Sequence, residues 1–202
     1  AINPLWLAFA HQKWQKVYED EINGVVKVAA DNNREKIFMI AKDQLIVYST
    51  QNDEITKIKY INKPLFLNIG FRAVFNSNDD KIYCYMPNRL PFYSLNIESG
   101  EWNATEYPIN YNPRYWQHNN FFRATDNSIY TFGGYGEHQY KNDIYKIDLT
   151  DSLWQELPTD EFVFQPRYLA GLGVLNDTAY ILGGYGSRTG SQLISPHSFF
   201  NL

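Results

Sequence analysis

One cysteine, two methionines and four histidines in 202 residues leave little material for redox or metal chemistry. A lone Cys84 cannot close a disulfide within the chain, so the redox compartment is not written in its cysteines. His11, His118, His138 and His197 are scattered, and no pair has the His-x-His or His-x3-His spacing of neighbouring metal ligands. No cofactor is implied. Long apolar runs are missing too: residues 1–10, AINPLWLAFA, hold about seven consecutive apolar positions, against the ~20 a membrane helix needs. That stretch lacks a basic leader and is not an intact signal peptide, although it fits the remnant of one as well as the start of a cytosolic chain. The compartment stays open, with a periplasmic or secreted setting favoured over the cytoplasm. Basic runs are absent, and 18 Lys and Arg against 22 Asp and Glu give a net charge of −4, so neither nucleic acid nor a polybasic membrane contact is expected.

Catalytic patterns are equally scarce. There is no Gly-x-Ser-x-Gly elbow, and Gly133, Gly134 and Gly136 are followed by no Lys-Ser or Lys-Thr that would make a phosphate loop. The acids Asp79 and Asp80, and Glu19, Asp20 and Glu21, sit in polar, turn-like segments where solvated charge accounts for them. The chain is therefore expected not to be an enzyme.

What the chain has in quantity is aromatic residues, 16 Tyr and 13 Phe, which suit strands better than helices. They recur in a pattern. SIYTFGGYG at 128–136 returns as TAYILGGYG at 178–186, and each copy is preceded by PRY, at 113–115 and 166–168. A fainter repeat runs upstream, bringing Phe38, Tyr83, Tyr130 and Tyr180 into register at spacings of 45, 47 and 50. After each comes a second aromatic strand, IVYST at 46–50, PFYSL at 91–95 and IYKID at 144–148, with Phe199 and Phe200 as the last copy. A polar turn follows, and Ile55, Trp102 or Trp154 then opens a short amphipathic run. The unit reads as four strands: an inner one after PRY, one entering Gly-Gly, one like Asp-Ile-Tyr-Lys-Ile-Asp, and an outer one opening with Trp. Glycine at the diglycine permits positive φ and a close backbone approach that a β-carbon would block.

A period near fifty residues with an aromatic strand ending in Gly-Gly resembles the kelch motif, in which each repeat forms one propeller blade, as in the central domain of galactose oxidase. The resemblance is specific over roughly residues 107–202. The first two repeats replace the diglycine with IFMIAKDQ at 37–44 and IYCYMPNR at 82–89. It implies an all-β fold, a propeller of four-stranded antiparallel blades, about four of them, at roughly 23–60, 68–107, 114–158 and 167–202. KWQKVYED at 13–20 resembles LWQELPTD at 153–160, so residues 12–18 are expected as an outer strand pairing with the strand near 198–202. Kelch propellers usually have six or seven blades, and a segment of a larger propeller is the other reading.

Copper radical oxidases share this propeller, but their site needs a Tyr–Cys cross-link with two His and a second Tyr, whereas Cys84 lies between Tyr83 and Tyr85 on an expected core strand. The resemblance instead directs attention to loops. Connections from second to third strand, and from outer strand to the next inner strand, gather on one face. They carry Arg114, Trp116, His118, Tyr135, His138, Tyr140, Arg167, Tyr185 and Arg188, residue types enriched in binding hot spots or able to stack on sugars. The expected partner is a protein, peptide or glycan. The alternative is a carbohydrate-active enzyme of kelch type, a sugar mutarotase or oxidase.

Overall fold

A computed structural model describes residues 16, 19, 24, 26–31, 33–65, 71–86, 89–105, 116–151, 153–158, 164–175, 178–194 and 196–199. Alternating apolar and polar residues make antiparallel meanders of short strands. The first sheet is β1 (Lys27–Asp31), β2 (Lys36–Ile40), β3 (Gln44–Ser49) and β4 (Glu54–Lys59), in that spatial order. The second repeats it with β5 (Arg72–Asn76), β6 (Lys81–Met86), β7 (Arg89–Asn96) and β8 (Trp102–Thr105). The third has β9 (Asn119–Arg123), β10 (Ser128–Gly136), β11 (Gln139–Asp148) and β12 (Leu153–Leu157). The fourth is split: β14 (Gly171–Leu175) pairs with β15 (Thr178–Leu182), while β16 (Tyr185–Gly186) lies between β13 (Arg167–Tyr168) and β17 (Ser198–Phe199).

The inner strands β1, β5, β9 and β14 touch in succession, setting the four sheets as blades of a β-propeller. Register keeps the repeat: Phe38, Tyr83, Tyr130 and Tyr180 stand opposite Ala29, Val74, Phe121 and Gly173 on the respective inner strands. The third-strand and outer-strand segments read from the sequence fall on β3, β7 and β11, and on β4, β8 and β12. The outer strand expected at 12–18 falls, but for Lys16, outside the described residues.

Apolar faces of neighbouring blades make the core. Ala29, Phe38, Ile40 and Leu45 of the first blade meet Phe71, Phe75, Ile82, Cys84, Leu95 and Trp102 of the second. Val74, Tyr83, Tyr85 and Phe92 on the second blade's other side meet Ile129, Tyr145, Ile147 and Trp154 of the third. Each outer-strand Trp folds back across an inter-blade seam. Trp102 meets Tyr60 edge-on at 5.4 Å, and Trp154 meets Phe92 at 6.2 Å and Tyr85 at 6.4 Å. The aligned tyrosines carry a second repeated device, with the Tyr83 hydroxyl donating to Asp79 at 2.8 Å and the Tyr130 hydroxyl to Asp126 at 2.6 Å. In both blades the acid lies four residues upstream, so the strand's aromatic ring ties down its own entering turn. Cys84 is buried, and burial raises its thiol well above the ordinary range, so it packs as a small apolar group.

Candidate recognition face

The diglycine decides where the loops go. In β10 the register slips between Phe132 and Gly134, where Gly133 has φ +61° and Gly134 φ +105°. A β-carbon on Gly133 would come within 2.8 Å of the Arg167 carbonyl oxygen, and one on Gly184 within 2.9 Å of that of Tyr168. The absent side chain of Gly133 thus lets β13, the PRY strand entering the fourth blade, lie directly on the third, and that of Gly184 lets the fourth blade's own chain close on β13. Beyond the bulge, β10 and β11 continue as a two-residue hairpin closed by Glu137 and His138, both in the left-handed region at φ 51° and 61°.

This hairpin is a post to which the neighbouring loops attach by main-chain bonds. On one edge Trp116 and Tyr135 exchange amide–carbonyl hydrogen bonds of 2.8 and 3.0 Å. On the other, the Tyr140 amide donates to the Gly190 carbonyl at 2.6 Å and the Gln192 amide to the His138 carbonyl at 2.9 Å. Beneath the tip is an aromatic cluster shared by blades three and four. Tyr168 lies 4.7 Å from Tyr135 and stacks on Tyr140 at 5.7 Å, with Tyr185 edge-on to both at 5.9 and 6.0 Å. The Tyr140 hydroxyl and His197 Nδ1 share a 2.8 Å hydrogen bond. Burial, helped by Tyr185 and Tyr168, raises the Tyr140 hydroxyl above its usual range.

The residues singled out in the sequence divide into rim and support. Trp116 (39% accessible), His138 and Arg188 are exposed. Tyr135, Tyr185 and Arg167 are half-buried. Arg167 donates to the Gln165 carbonyl at 2.9 Å and the Gly183 carbonyl at 2.8 Å, tying the two parts of the fourth blade together. Tyr140 and His118 are buried, at 6% and 3%. His118 Nε2 is 3.0 Å from the Tyr85 hydroxyl in the seam between blades two and three, away from the hairpin tip. Arg114 lies outside the described residues. Sequence reasoning missed Tyr168 and His197 as members of the cluster. Tyr168 was within reach, since it is the Tyr of the second PRY, whereas only the fold of the 185–197 loop brings His197 to Tyr140. Among the described residues, no group of three or more His, Cys, Asp or Glu side chains is placed to hold a metal ion.

A family model described as "Kelch motif" matches residues 123–160, spanning the end of β9 to β12 and containing the hairpin. No curated protein matches the chain. The kelch propeller fold is compatible with a protein-binding module.

Proposed function

The chain is a kelch-repeat β-propeller, and on that premise we propose that it is a non-catalytic recognition module that grips a protein partner with the face around the β10–β11 hairpin. Trp116 carries the reading. The residue is 39% accessible although its main chain is fixed to the hairpin, so an aromatic anchor is offered with little ordering left to do on binding. Exposed His138 in the hairpin turn, and exposed Arg188 in the loop bonded to it, add polar contacts around Trp116.

Hot-spot truncation costs at least ~2 kcal/mol of binding, about thirtyfold in affinity. Trp116→Ala and Arg188→Ala should each weaken a partner recovered by pull-down to that extent while leaving the melting temperature within about 2 °C. Ser99→Ala, in the β7–β8 turn on the opposite face, serves as the control. Affinity unchanged in both variants but lost in Ser99→Ala contradicts the proposed face. Glycan-array binding without any protein partner contradicts the choice of ligand.

A further inference from the structure

The first residue of each inner strand opens on the same face as the hairpin, and register makes Lys27, Arg72, Asn119 and Gly171 equivalent, opposite Ile40, Tyr85, Phe132 and Leu182. Two adjacent members are cations. Lys27 sits 5.7 Å over the Phe71 ring, next in sequence to Arg72. Arg72 is half-buried, and its Nε is shut off from solvent without a hydrogen-bond partner among the described residues. Around it the seam is lined with groups able to donate. The Tyr85 hydroxyl accepts from Asn120 Nδ2 at 3.1 Å and shares the 3.0 Å bond with His118, leaving Arg72 across the strand pair with no bond of its own at Nε.

Electrostatics agrees. Burial lowers the Arg72 guanidinium, and burial followed by the charge of Arg72 lowers the Lys27 ammonium; among the described residues no carboxylate acts on either. Two neighbouring cations without a counter-charge destabilise a fold, because a buried unpaired donor forfeits its full hydration. Charge held at such a cost fits a ligand that brings a counter-charge to the pair.

We infer that Arg72 and Lys27, with Tyr85 beside them, form a carboxylate-binding site at the inner ends of blades one and two, and that its occupant is an Asp or Glu side chain of the partner protein. The choice of occupant rests on the recognition reading above. A guanidinium fork matches a carboxylate in two parallel bonds, and the ammonium on the next blade adds a second contact to the same anion.

The test uses hexaglutamate peptide on the full chain, with hexaglutamine and galacturonate as comparison ligands. Hexaglutamate should bind, weaken with added salt, and raise the melting temperature. Arg72→Met should lower its affinity at least tenfold and, without peptide, raise the melting temperature by removing an unpaired charge. Lys27→Met, at a less enclosed position, should lower affinity about threefold or more. Arg72→Met that melts lower than the parent while still binding hexaglutamate makes Arg72 a structural group and overturns the site. Absence of hexaglutamate binding, or equal binding of hexaglutamine, overturns it as well, and galacturonate bound in preference overturns the peptide occupant. The two readings fail separately. A partner lost on Trp116→Ala yet indifferent to Arg72→Met removes the carboxylate site alone, and hexaglutamate held through Arg72 with Trp116→Ala harmless to every partner removes the hairpin face alone.

Discussion

Backbone strain at single residues marks the recognition face. His138 is held at φ 61° in a turn position that suits glycine or asparagine, and it is exposed, with no side-chain bond among the described residues to offset the strain. His138→Gly should therefore stabilise the chain by about 0.5–1 kcal/mol, read as a rise in denaturant midpoint. If that variant also binds the partner more weakly, the strained imidazole is retained for contact; a loss of stability would show that the His138 side chain is structural. The buried Tyr140 answers differently. Truncation to Ala removes stacking on Tyr168 and the bond to His197, so a loss of about 3–5 kcal/mol is expected, whereas Tyr140→Phe, losing only the hydroxyl, should cost about 1 kcal/mol.

Strands and turns owe their placement to a few repeated side chains. Trp154 is 6% accessible and bridges blades two and three, so Trp154→Ala should cost about 3–5 kcal/mol, a large part of the 5–15 kcal/mol typical of a domain. The turn from β9 to β10 is held by ionic bonds: Arg123 grips Asp126 with two bonds of 3.0 and 2.9 Å, joined by Tyr130 at 2.6 Å and Lys146 at 3.3 Å. Burial alone would raise the Asp126 carboxyl, but bonds from Arg123, Tyr130 and Lys146 outweigh it and hold the group below its ordinary value. The same pairing, after the larger effect of burial, pushes the Tyr130 hydroxyl up to about 12. A carboxyl depressed in the folded state stabilises it above the ordinary carboxyl range, and that stability is lost as pH falls through this range toward the folded value. Asp126→Asn should thus cost about 1–2 kcal/mol at pH 7 and much less near pH 3; an equal loss at both pH values would show that the acid acts by shape alone. The strands themselves were legible in the sequence, because Phe38, Tyr83, Tyr130 and Tyr180 keep one register through all four blades. The split of the fourth blade was not. It follows from Gly183 and Gly184 at φ 63° and 92° breaking the second strand, the same pair that in the third blade makes only a bulge.

Over the whole molecule, equivalent positions are not equally buried. Ile40 is 0% and Tyr85 2% accessible, whereas Leu182, at the same repeat position in the fourth blade, is 46% accessible, as Tyr180 is 50% against 0% for Phe38 and 7% for Tyr83. Stability should follow this gradient. Ile40→Ala is expected to cost about 2–5 kcal/mol and Leu182→Ala less than about 1 kcal/mol, measured by chemical denaturation. The candidate site was half legible. Diglycine and PRY pointed to the loops that gather on the hairpin, since repetition reports architecture, but sequence could not tell rim from support. Trp116 and Tyr140 read alike as unrepeated aromatics, both with main chains bonded into the hairpin's surroundings, and only their burial shows that one faces solvent and the other packs beneath. Lys27 and Arg72 were invisible as a pair, because 45 positions of chain separate two residues that adjoining inner strands bring together. The most direct test of the recognition face is amide hydrogen exchange on the full chain with and without its partner. Protection is predicted at Trp116, along residues 135–140 and at 187–192, with residues 96–101 and 149–151 on the opposite face unchanged. Protection confined to those opposite turns, with the hairpin exchanging at its free rate, would contradict the account.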